Sequence, residues 1–280
     1  FTGVAMVLPG ILISKLGMVN GVLNTEVGIR KTVILITILS VLGIYACIFF
    51  LKEKQLTQNR TKTESLGFMK SISHLKDKEI ILYFLGYFFF FCGFNILRGD
   101  LTYYLSTVMQ KDIKYLTVIS VVLFGMAGMF FPITNKFGKK YSYKKILIVD
   151  MLLLIAGTFG LLFINKNNSI FAYVFFVICG AGLSGAAFIF PQAMLSEISA
   201  KLSEIKKISL EGFMFGIQGM FLKLAFLVQQ VVQSTLLVAG NQNVQNGVKG
   251  ATELGVKVTL VVALSLFGVS LFFYNLKKED

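Results

Sequence analysis

A lysine closes the apolar stretch FMFGIQGMFLK at residues 213–223, and the apolar run continues beyond it as LAFLVQQVVQSTLLVAG. Counted from Leu210 at about 1.5 Å per helical residue, the Lys223 ammonium lies roughly 20 Å into that run. A lysine that snorkels needs an interface within reach of its stem, and neither end of the run is near. Lys223 therefore asks for a water-filled cavity and a carboxylate or polar solute to face. Gln230, seven residues on, is nearly aligned with it on a helix, while Gln218, five residues before, is turned about 140° away. With Gln229 and Gln233 these residues make a polar stripe, so one face of the helix is expected to be wet.

A second polar group sits in FNILRGDLTYYL, where Arg98 and Asp100 flank Gly99. Residues two apart diverge on a helix, so they form no ion pair along the chain unless Gly99 breaks it. Asn95, Arg98 and Asp100 are candidates for a cavity wall, unless the membrane ends near Arg98. Asp150, in KKILIVDMLLL, lies one to two turns inside its run and either lines a cavity or caps an interfacial network. Cys47, Cys92 and Cys179 fall in apolar runs and read as small buried hydrophobes rather than a disulfide or metal set. His74 lies in a polar loop. With no His partner for a serine and no clustered metal ligands, enzyme chemistry is disfavoured.

The elements that must carry these residues are membrane spans. Hydrophobic residues make up 55% of the 280 and charged residues only 15%, against about 25% charged in a soluble domain. Apolar runs long enough to cross a hydrocarbon core of roughly 30 Å recur near 33–51, 80–109, 115–134, 145–164, 169–197, 210–238 and 255–275, with a partial one at 1–16. The fold class is all-α, a polytopic membrane protein of about eight spans. The chain opens on Phe1 in mid-run, which reads as the C-terminal part of a longer protein. The net charge of +13 is concentrated in alternate loops, 52–78, 136–145 and 201–207, and in Lys277 and Lys278. That bias marks those loops and the C-terminus as cytoplasmic in a multi-pass protein of the cell membrane, and argues against nucleic acid as a partner. GAGLSG at 180–185 matches a dinucleotide fingerprint only formally; inside an apolar helix its glycines serve close packing.

The stretch PQAMLSEISAKLSEIKKISLEGFMFGIQGMFLK at 191–223 resembles the glycoside-pentoside-hexuronide:cation symporters of the melibiose permease type, within the major facilitator superfamily. Glu197 stands at the acidic position of the turn after helix ten, Glu211 and Gly212 at the pair opening helix eleven, and Gln218 and Lys223 at matching spacing. Gln192 lies in the same stretch. NILRGDLTYYL at 95–105 is similar to helix seven, with Asn95, Gly99, Tyr103 and Tyr104 matching. NKFGKKYSYKK at 135–145, with Lys139 and Lys140, is similar to the basic loop between helices eight and nine. Ala200, Ser209 and Ile189 depart from the pattern. Ile189 holds the place of the sugar-stacking aromatic, often Trp, and the chain has no Trp.

The resemblance implies residues 1–51 as the end of an N-terminal half (helices five and six), 52–79 as a central loop and 80–280 as the six-helix C-terminal half. It further implies cation-coupled symport of a sugar or related polar solute by alternating access. Lys223 would face the central cavity beside carboxylates on helix two that bind a monovalent cation, Na⁺ or H⁺. No other cofactor is implied, and a monomer is expected in the bilayer. Cavity residues would be Lys223, Gln218, Asn95, Arg98, Asp100, Tyr103, Gln192 and Gln230, with Glu197, Glu211, Asp150, Lys139 and Lys140 in structural or gating places. The phenylalanine-rich spans and the missing Trp also suit a lipid-like or amphiphilic solute, and a truncated, inactive remnant is a third reading.

Overall fold

Inside hydrocarbon, backbone N–H and C=O groups can bond only along their own helix, so long apolar runs become uninterrupted helices. The computed structural model describes residues 11–13, 15–19, 22–50, 77–112, 115–206, 210–240 and 250–276. The partial span expected at 1–16, most of the 52–79 loop with His74, the Cys47 side chain, and Lys277 and Lys278 lie wholly or partly outside those residues. The chain divides into two units, Phe1–Glu64 and Ser65–Asp280.

The first unit contains a minimal hairpin, β1 (Met18–Val19) with β2 (Val22–Leu23), and one long helix, α1 (Thr25–Phe50). α1 starts eight residues before the apolar run expected at 33. The Asn24 side chain accepts from the Val27 amide at 3.2 Å, which caps the helix and lets its polar first turns form. Gly28 lies close to the chain at Gly17: a Cβ on Gly28 would stand 3.0 Å from the Gly17 Cα.

The second unit contains α2 (Lys78–Tyr103), continued by a π-helical segment, Tyr104–Val108; then α3 (Tyr115–Tyr141), α4 (Tyr143–Leu161), α5 (Phe171–Ala186), α6 (Phe190–Lys206), α7 (Glu211–Leu236) and α8 (Glu253–Leu276). Among the described residues six stretches are long and apolar enough to cross a membrane: Glu26–Ala46, Lys78–Val108, Tyr115–Tyr141, Phe171–Ile205, Glu211–Leu236 and Glu253–Leu276. α4, at the span expected near 145–164, is helical and apolar too, but differs from these in carrying three charged residues, Lys144, Lys145 and Asp150. The span expected at 169–197 is a helix pair. α5 gives way to α6 just ahead of Pro191, which suits a helix's first turn and not its interior. The basic segment 135–145 is helical rather than a loop. α3 runs on through Tyr141, and Ser142, at φ 108°, turns the chain directly into α4.

Helices meet through glycines, as lipid requires of helices that must approach closely. α2 packs on α8 and α7, α5 on α3 and α4, and α8 also touches α4. A Cβ on Gly93 of α2 would stand 3.0 Å from the Ala263 carbonyl and 2.8 Å from the Phe267 ring of α8. The GAGLSG glycines do the same. Gly180 faces the Leu123 backbone of α3, and a Cβ on Gly182 would stand 2.7 Å from the Leu154 amide of α4. Gly93→Val is expected to cost about 1–3 kcal/mol through overpacking. Gly268→Val, where nothing lies within 4 Å, is expected to be neutral. Unfolding temperatures of the two variants in detergent, compared with the parent protein, check this.

Candidate functional site

α7 carries the polar stripe, and its helical period divides that stripe between two faces. Met214, Gln218, Ala225 and Gln229 are buried, whereas Lys223 and Gln230 are exposed. The buried face meets α2. The Gln218 amide donates to the Tyr83 hydroxyl at 2.8 Å, and that hydroxyl donates to the Pro191 carbonyl at 2.6 Å. One hydrogen-bonded chain thus ties α7, α2 and α6 together.

Two turns beyond Lys223 the same face builds a second network. The Gln229 side-chain amide donates to Gln233 Oε1 at 2.6 Å, and Gln233 Nε2 donates to Asp100 Oδ1 at 2.8 Å. Gly99 makes this possible: a Cβ there would stand 2.9 Å from Gln229 Nε2 and would overlap the Gln233 amide. Asp100 is 1% exposed, bordered also by Thr259 of α8, and its Oδ2 has no partner among the described residues. Asn95, 2% exposed, likewise has an unpartnered Nδ2. Both residues, expected on a cavity wall, are buried although they leave α2 about 140° apart, because α2 is covered by neighbouring helices on nearly every side.

Arg98 and Asp100 do not pair. α2 runs unbroken through Gly99, so the two side chains leave on different faces, and the helix continues to Val108, well past Arg98. The Arg98 guanidinium instead lies over the ring of Phe226 on α7, 5.5 Å from its centroid. Lys223 Nζ lies 5.9 Å from the same centroid. Phe226 and Tyr83 are the parts of this site that the sequence pattern does not single out. Their signal was faint, since a phenylalanine in a phenylalanine-rich span and a tyrosine among aromatics look like core.

The other candidates lie apart from this cluster. Tyr103 is exposed, and its carbonyl accepts from Thr107 at 2.7 Å. Gln192 is exposed at the start of α6, and Glu211 opens α7. Asp150 is buried on the glycine face of α5, beside Gly185 and Thr134, whose hydroxyl shares a 2.8 Å hydrogen bond with Ser184. Lys140 lies 5.0 Å from the Tyr141 ring. Lys139 and Glu197 line a separate cavity of about 640 Å³ at one end of the unit, with Asp77, Glu79, Lys144 and Lys201. The ends of four helices that the charge bias assigns to one membrane face therefore meet. Among the described residues no group of three or more His, Cys, Asp or Glu side chains is placed to hold a metal ion.

A family model described as MFS/sugar transport protein matches residues 1–278. No curated protein matches the chain. A family match of this length, together with the apolar spanning helices, makes this a multi-pass membrane transporter of a solute and not an enzyme.

Gln233→Leu is expected to leave the buried Asp100 carboxylate without its donor, at a cost of about 1–3 kcal/mol. Adding Asp100→Leu removes both partners and is expected to restore most of that loss. Unfolding temperatures of the single and double variants test the network, and a double variant less stable than Gln233→Leu contradicts it.

Proposed function

The chain belongs to the MFS/sugar transport protein family, and from that membership we propose that it works by cation-coupled symport of a sugar or related polar solute through alternating access. The observation that carries the reading is Lys223. It stands midway along α7, exposed, and among the described residues its ammonium meets an aromatic ring and no carboxylate. A charge of that kind is held at membrane depth when it faces water, an ion or a solute. If the resemblance of 191–223 to the melibiose permease type holds for function, Lys223 stands between the solute and cation-binding carboxylates of helix two in the N-terminal half. Na⁺ or H⁺ would then be bound mainly by that half, with Lys223 linking cation to solute.

Gln218 supports the same reading from the opposite face. Its bond to Tyr83, and through it to Pro191, fixes α7 against α2 and α6, so that Lys223 is presented at a set height and rotation. The lipid-like solute remains the second reading, favoured by the aromatic lining of α2 and α7, where Phe84 and Phe221 stack at 5.3 Å and Phe88 meets Phe221 at 5.9 Å. The charge bias of the loops orients the protein with the 640 Å³ end cavity and the C-terminus toward the cytoplasm.

Lys223→Ala is expected to abolish concentrative uptake while leaving the amount of membrane-inserted protein unchanged. Accumulation ratios in cells, normalised to surface protein, provide the check. An unchanged ratio removes Lys223 from the coupling.

A further inference from the structure

Resting on the transporter reading, we propose that Arg98, held against Phe226, is a second cationic anchor of the solute site, and that the solute carries an anionic group. Arg98 reaches the Phe226 ring from α2, and Lys223 stands three residues before Phe226 on α7, about 4.5 Å along the axis. Their cationic groups lie 5.5 and 5.9 Å from a single ring centroid. The ring's negative face attracts each of them but accepts none of their N–H donors.

Nothing described balances this charge. Among the described residues Arg98 has no hydrogen bond and no ion pair, and Asp100, the nearest carboxylate in sequence, is bound by Gln233 on another face of α2. The two cations repel each other, and an anion lying with them offsets that repulsion. A guanidinium fork is shaped for planar, bidentate recognition of a carboxylate or phosphate. Lys223 is exposed and Arg98 half-buried, so both are open to a solute. If carboxylates of the N-terminal half pair with Lys223, Arg98 is the cation left over, and the anionic group of the solute is what it receives.

Protein reconstituted in proteoliposomes tests this with three pyranosides of similar size: methyl glucuronide, glucose 6-phosphate and neutral methyl glucoside. Entry of each as labelled solute, and mutual competition, are measured. The expected result is that one anionic sugar, carboxylate or phosphate, competes at least about ten-fold better than methyl glucoside. Arg98→Gln should remove that margin, and Arg98→Lys should keep part of it. Phe226→Leu, which leaves both cations but removes the ring that holds them, should narrow it. Equal or better competition by methyl glucoside overturns the anionic-solute proposal and leaves sugar transport standing. A margin that survives Arg98→Gln overturns the role of Arg98. Entry of none of the three sugars overturns the proposal together with the sugar reading beneath it.

Discussion

A polar side chain on a membrane helix must be satisfied by another helix or by water, and α7 is built around that constraint. Its glutamines and its lysine cannot all face the same way at 3.6 residues per turn, so the helix sorts them. Gln218, Gln229 and Gln233 turn to α2 and find a tyrosine hydroxyl, one another and a carboxylate. Lys223 and Gln230 turn away. The buried bonds fix the rotation of α7, and that rotation sets where Lys223 stands. Gly99 is the small residue on which this depends, since any Cβ there would push the two glutamines off Asp100.

The same logic explains the glycine-rich α5 and α2. Without a hydrophobic drive between helices in lipid, contact has to come from close backbone approach and a few internal hydrogen bonds. Gly86 and Gly93 admit Tyr274 and Phe267 of α8 onto α2, and Gly180, Gly182 and Gly185 bring α5 against α3 and α4. The Ser270 hydroxyl donates to the Gly86 carbonyl at 2.7 Å at one of these approaches. What results is a scaffold of closely packed helices that carries Arg98 on α2 and Lys223 on α7.

Much of this was legible in the sequence, because length and hydropathy dictate spanning helices directly, and charge bias alone groups the loops by face. Helix packing by GAGLSG was legible for the same reason: a glycine motif in an apolar helix has no strand before it. Partners were not legible. Whether α2 buries Asn95 and Asp100 depends on α7 and α8, more than a hundred residues away, and one sequence does not state that pairing. Phe226 gave only a faint signal because Arg98 reaches it from another helix, α2. The lysines of 135–145 look like loop composition, yet a helix end at a membrane face carries the same residues, and the segment is helical.

The central claim is that α7 has a buried glutamine face and an open face bearing Lys223. Single cysteines at 218, 223, 229 and 230, introduced into protein lacking the native cysteines, test it through their rates of reaction with a membrane-impermeant thiol reagent in native membranes. The account predicts fast modification at 223 and 230 and protection at 218 and 229. Fast modification at 218 and 229 with protection at 223 would contradict it, because α7 would then be rotated and Lys223 would lie in the packing rather than in the solute path.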